Sequence, residues 1–207
     1  SSTVDVGIAY SCETPGTCAT VQDGLIIDGT SLDSLPEGYT TVSLTFNGDG
    51  ESTFEFAYLD AGEIKLYAQA ELSVDEEAED TATVTGSSNA FVVSPAGFCV
   101  EALDVPFVCS TGDASCDPYV AAGADFKLKV SARQWQAGES SPANYCDNSG
   151  TTPNFELSDI SLSHNLIAPV GGQDGELGVD SLNIVFGGEA TISDQTISEV
   201  GVFSITA

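Results

Sequence analysis

The chain has 207 residues, 42% of them hydrophobic, and a formal net charge of −28, set by 32 acids against Lys65, Lys127, Lys129 and Arg133. Such acidity excludes nucleic acid and anionic membrane surfaces as partners, because phosphate binding draws on clustered Lys and Arg. The apolar fraction excludes a disordered acidic tail, and no apolar run approaches the roughly 20 residues that cross a bilayer, so no direct membrane insertion is expected.

In chain order, the first half alternates apolar and polar residues over 4–10, 24–27, 39–46, 52–59 and 60–68, with a short apolar run at 91–93. Side chains on a strand alternate faces with period two, so these segments predict about six strands. Turn signals separate them: Asp28-Gly29, Leu35-Pro36-Glu37-Gly38, and Asn47-Gly48-Asp49-Gly50, the last a strong hairpin signal. Ser94-Pro95 marks the expected domain boundary, where Pro ends strand pairing and the composition turns Cys-rich. Beyond it, strands are predicted at 97–104, 126–135, 154–167, 181–186, 189–197 and 199–207. Two long loops, 105–125 and 136–153, carry Cys109, Cys116 and Cys146.

Asp60-Ala-Gly-Glu-Ile-Lys-Leu-Tyr-Ala68 returns by residue class as Glu199-Val-Gly-Val-Phe-Ser-Ile-Thr-Ala207. Each copy follows another strand-like run, which predicts the same hairpin twice, one domain length apart. Ile64, Leu66, Phe203 and Ile205 should point inward. The expected fold is all-β: two tandem immunoglobulin-like β-sandwich modules, residues 1–94 and 95–207, with disulfide-stapled loops.

Six cysteines with no CxxC pair and a single histidine, His164, point to disulfides rather than zinc. The chain is therefore expected outside the cell or at its surface, exported through the periplasm. It opens at Ser1 without a methionine, which reads as a mature or excised fragment. Cys12–Cys18 is the expected local pair, because Pro15 and Gly16 favour a chain reversal. Cys99, Cys109, Cys116 and Cys146 allow three pairings, of which Cys99–Cys109 with Cys116–Cys146 is preferred.

Three of the four cations, Lys127, Lys129 and Arg133, fall at even spacing beside Trp135, on one face of a predicted strand. They would neutralise neighbouring carboxylates or guard an edge strand. The functional reading is a docking stripe, or a Trp-Arg platform for a sugar or peptide. Carboxylates cluster at Asp75, Glu76, Glu77, Glu79 and Asp80, and less densely at Asp49 and Glu51 and in the 171–176 loop. Either these are solvated turns or one of them holds Ca²⁺, a cation that takes six to eight oxygen ligands. No other cofactor is expected. His164 has no base-and-nucleophile arrangement around it, and abundant acids alone do not make a glycosidase pair, so no enzyme is expected.

Longer motifs carry a resemblance. Val130-Ser-Ala-Arg-Gln-Trp-Gln-Ala137 followed by Asp147-Asn-Ser-Gly-Thr-Thr-Pro-Asn-Phe155 resembles the "VxAxxWQA…DN…TPNF" run in the C-terminal region of the MSHA biogenesis protein MshQ family. Gly86-Ser-Ser-Asn-Ala-Phe-Val-Val-Ser-Pro95, Leu166-Ile-Ala-Pro-Val-Gly-Gly172 and Glu199-Val-Gly201 are similar to its "GSSxxFVVRP", "LVAPxGG" and "SEVG" segments. Ala9-Tyr-Ser-Cys12 with Cys18, and Phe56-Ala-Tyr-Leu-Asp-Ala-Gly62, are similar to its "YxC…C" and "FxYxDAGxI". Ser94 stands where that family usually has Arg, and Cys99, Cys109, Cys116 and Cys146 lie outside its pattern. The resemblance implies a surface-exposed part of a type IV pilus system or of a large exported surface protein. Its partners would be other domains of the parent protein or pilus components, and it brings no catalytic residues. The function expected is a non-catalytic structural or adhesive module. The alternative is a carbohydrate-binding module that uses Trp135 as a stacking platform for a glycan or other surface ligand.

Overall fold

The computed structural model describes residues 2–18, 24–73, 81–103, 109, 111–113, 115–136, 144–147 and 150–207. The chain divides into two compact units, Ser1–Ser94 and Pro95–Ala207. Among the described residues everything regular is strand, apart from a single 3-10 turn at Tyr145–Asp147.

The first unit runs through β1 (Ser2–Thr14), β2 (Leu25–Ile27), β3 (Thr30–Leu32), β4 (Thr40–Phe46), β5 (Phe56–Tyr58), β6 (Gly62–Ser73), β7 (Thr81–Ser87) and β8 (Phe91–Val93). One sheet has the order β4-β1-β6-β7, with β8 also on β6; a second has the order β3-β2-β5. Antiparallel register sets Val4 opposite Leu44 and Val6 opposite Val42, so the apolar parity of β1 and β4 falls on one face. That face meets Leu25, Ile27 and Leu32 of the short sheet, and Ile64 is fully buried between them. Asp28 and Gly29 both take positive φ, 46° and 83°, as a two-residue hairpin loop requires, and so join β2 to β3.

The second unit comprises β9 (Gly97–Ala102), β10 (Phe126–Arg133), β11 (Leu157–Ser161), β12 (Ser163–Ala168), β13 (Ser181–Ile184), β14 (Glu189–Gln195) and β15 (Val202–Thr206). They pair as β14-β10-β9, β11-β13 and β12-β15. The core draws Leu128 and Val130 from β10, Ile160 from β11, Leu182 and Ile184 from β13, and Ile192 from β14.

The repeated segment is not a hairpin in either unit. β5 pairs with β2 while β6 pairs with β1, and β14 pairs with β10 while β15 pairs with β12. Each copy therefore joins two sheets of its own unit as an arch. The turn residues show why: Asp60 and Ala61 are buried, with the Ala61 N–H donating to Asp60 Oδ1 at 2.8 Å, where a hairpin tip would lie in solvent. The matching residues of the second unit, Glu199 and Val200, are exposed, and there the buried residue is Ile197, two positions earlier. Leu66 and Ile205 pack half-buried against their cores. Phe203 does not join the core; its ring lies 6.1 Å from that of His164. The Asn47–Glu51 turn also joins different sheets rather than a hairpin, closed by Asn47 Oδ1, which accepts from the N–H groups of Asp49 and Glu51 at 2.9 and 3.0 Å.

All six cysteines are bonded, as Cys12–Cys18, Cys99–Cys146 and Cys109–Cys116. The preferred pairing of the last four is thus overturned. Cys99 stands opposite Ser131 on the face of β9 and β10 that looks away from the core residues Leu128 and Val130. The Tyr145–Asp147 turn packs on that face of β9, so closely that a Cβ on Gly97 would overlap the Tyr145 ring, and this brings Cys146 onto Cys99. Cys109 and Cys116 then close their own short loop. Inside it Asp113 Oδ1 accepts from the Ser115 N–H at 2.8 Å and from the Thr111 hydroxyl at 3.3 Å.

Candidate functional site

β10 carries Lys127, Lys129, Ser131 and Arg133 at one parity, as the alternation predicts, but the four do not share an open stripe. Exposure falls along the strand from exposed Lys127 through half-buried Lys129 to Arg133, which is 9% exposed. Two features bury its far end. β10 is the central strand of its sheet, and the Tyr145–Asp147 turn, tied down by Cys99–Cys146, packs on the same face. A role as edge-strand guard is therefore excluded, because the edges of this sheet are β14 and β9.

Neutralisation is what the geometry displays. Lys129 Nζ lies 2.7 Å from Glu189 on β14, and Arg133 Nη2 lies 3.8 Å from Glu101 on β9. A half-exposed pair of this kind contributes about 0–1 kcal/mol to stability, so it sets charge balance more than it holds the fold. Arg133 Nε and Ser131 Oγ are buried with no hydrogen-bond partner among the described residues. With two cations already paired, the stripe is a poor docking surface for an acidic partner.

Trp135 is different. It follows directly on β10 and is 64% exposed. Its neighbour Gln134 is held by a hydrogen bond from its N–H to the Gly150 carbonyl at 3.2 Å. The turn into β14 reaches the same end of the strand, since Ala132 N–H donates to the Gly188 carbonyl at 2.7 Å and Gly187 N–H donates to that of Pro153 at 3.0 Å. Val185 and Phe186 in that turn are each 72% exposed. One end of the second unit thus presents a tryptophan, a phenylalanine and a valine to solvent. Alternation across 181–186 turns Val185 outward with Ser181 and Asn183, but Phe186, at the parity of buried Leu182 and Ile184, departs from it by leaving the core.

The densest carboxylate cluster, Asp75, Glu76, Glu77, Glu79 and Asp80, lies outside the described residues. Asp49 and Glu51 are exposed, in a turn that Asn47 closes by itself. In the other acidic loop, His164 Nε2 donates to the Asp174 carbonyl at 3.0 Å, which fixes the proton on that nitrogen and ties the loop to β12. The one metal-like grouping among the described residues, Cys99, Glu101 and Cys146, has its two sulfurs joined in a disulfide, which removes them as thiolate ligands.

Two family models match the chain. One, described as DUF6701, second domain, covers residues 94–196; the other, described as domain of unknown function (DUF6701), first Ig-like domain, covers residues 1–87. No curated protein and no solved structure matches it.

Proposed function

On the premise that the chain belongs to the DUF6701 family, with its first Ig-like and its second domain in tandem, we propose that it is a non-catalytic structural or adhesive module of an exported surface protein. The observation that carries this reading is the pairing of all six cysteines across both units, chemistry that persists in oxidising compartments. A formal charge of −28 supports it, as a means of keeping a surface module soluble and unaggregated. The motifs shared with MshQ-like proteins extend the proposal to a pilus-associated or other large cell-surface protein, with its further domains or pilus components as partners. Antibody raised against the two units should label intact producing cells, and extracellular protease should remove the signal. Labelling only after lysis would overturn the placement.

Trp135 supports a second reading, a carbohydrate-binding module. Exposed aromatic rings stack on sugar faces, and Phe186 and Val185 extend the apolar surface at that end. A glycan array should then show saturable binding that Trp135→Ala abolishes. Binding unchanged in that variant, or none at all, would leave the structural reading alone.

A further inference from the structure

The two sheets of the first unit differ greatly in length. β1 has 13 residues and β6 has 12, whereas β2, β3 and β5 have 3 each. At roughly 3.3 Å per residue the short sheet spans about 10 Å of a face about 40 Å long. It sits over one half of that face, where Tyr10 meets Tyr58 and bridges Ser34, and where Phe56 meets Phe91. Among the described residues the other half is open as a groove of 620 Å³, with Val4, Phe46, Ala68, Ala70, Leu72 and Val84 among its lining residues. Leu72 is 40% and Val84 52% exposed, on the face a sandwich normally covers. A Cβ placed on Gly86, beside them, would meet nothing within 4 Å.

One rim of the groove is the turn after β4, whose Asn47, Gly48 and Gly50 line it and which carries exposed Asp49 and Glu51. Asn47 holds that turn closed, and no ion pair to either carboxylate forms among the described residues. Lys65 is the only Lys or Arg among residues 1–94, and its Nζ lies 5.2 Å from the centre of the Tyr67 ring. The groove is thus apolar in its floor, acidic at its rim and without a cation of its own.

We propose that this groove binds an extended segment of a partner protein, apolar at alternate positions with Lys or Arg between them, which lies on the open half as the missing part of the short sheet. Period two is what the site selects. Alternate side chains of a strand reach the floor, and the long cationic ones reach back to Asp49 and Glu51. The small residues Ala68, Ala70 and Gly86 keep the floor low, which leaves room for a second backbone to approach.

A labelled peptide of about nine residues alternating Val with Lys, titrated with the whole chain and followed by anisotropy, tests this. Saturable binding is expected, weakened by salt, absent for a Val/Glu peptide, and reduced at least about tenfold by Ala70→Trp, which fills the floor. Val84→Lys, at a position already exposed, carries the same readout should Ala70→Trp fail to fold. No saturable binding, or equal binding by a Val84→Lys variant with native melting, would overturn the proposal. Self-association of the chain that Val84→Lys abolishes would do so too, by assigning the groove to a second copy.

Discussion

Tyr10 illustrates how a single buried polar side chain ties stability to pH. It is 5% exposed on β1, its ring edge against Tyr58 at 5.8 Å. Burial, followed by the charges of Asp60, Glu37 and Asp33, raises its pKa above the ordinary tyrosine value, against a lowering hydrogen bond with Ser34. The folded state therefore keeps the proton to higher pH than the unfolded chain does. The stability this confers is complete below the unfolded value, about pH 10, and is lost as pH climbs through the folded one. Denaturant titrations at a series of alkaline pH values should show Tyr10→Phe losing less stability than the parent; parallel curves would mean that Tyr10 does not report. Gln195 makes the opposite point about legibility. In an alternating strand it reads as a surface polar residue, yet it is fully buried, accepting from the N–H groups of Val179 and Thr196 at 3.0 Å and donating to the Val179 carbonyl at 2.8 Å. It adds side-chain bonds at Val179 to the backbone bridge that pairs Leu177 with Ile197. Gln195→Ala, which leaves those backbone groups unpaired, should cost about 1–3 kcal/mol in chemical denaturation.

At the level of elements, alternation located most strands, because a half-buried strand must show its two faces in its sequence. β3 escapes alternation because Thr30-Ser-Leu32 offers one apolar residue, and β7 because Thr81-Ala-Thr-Val-Thr-Gly-Ser87 turns its one large apolar residue, Val84, to the open groove. Partners were beyond reach. Adjacent apolar runs look like a hairpin whether they pair or arch between sheets, and only long-range contacts decide. The cysteine pairing failed for the same reason, since spacing says nothing of which loop packs on which face. That pairing now makes a prediction. Cys99–Cys146 closes a separation of 47 residues and Cys109–Cys116 one of 7. Loop-closure entropy then favours the longer link, by about 4 against about 2.4 kcal/mol. The Cys99→Ser/Cys146→Ser double variant should therefore melt well below Cys109→Ser/Cys116→Ser. It should also release the Tyr145–Asp147 turn from β9, so that Arg133 gains solvent. Equal melting of the two would indicate that packing of Tyr145 on Gly97 holds the turn without the bond.

Charge is the property that belongs to the molecule as a whole, and it is unevenly balanced. Lys65 is the sole cation among residues 1–94, whereas the other three lie together on β10, where Lys129 and Arg133 face Glu189 and Glu101. Self-repulsion among carboxylates opposes the compact state more in the first unit than in the second. Salt screens exposed charges beyond about 8–10 Å at physiological ionic strength, so raising NaCl from a few millimolar should raise Tm, and more for the unit that holds Lys65. Separately expressed units give the two transitions without overlap. The same experiment separates screening from a specific divalent ion. Ca²⁺ held only by the folded state adds stability that grows with its concentration, on top of any ionic-strength effect. At matched ionic strength CaCl₂ should shift the transition no further than NaCl, because the described acidic turns close on their own side chains and backbone: Asn47 over Asp49 and Glu51, and His164 on the Asp174 carbonyl. A larger shift with Ca²⁺ that disappears when Asp75, Glu76 and Glu77 are changed to their amides would place an ion in that run and make the acidity a binding device as well as a source of solubility.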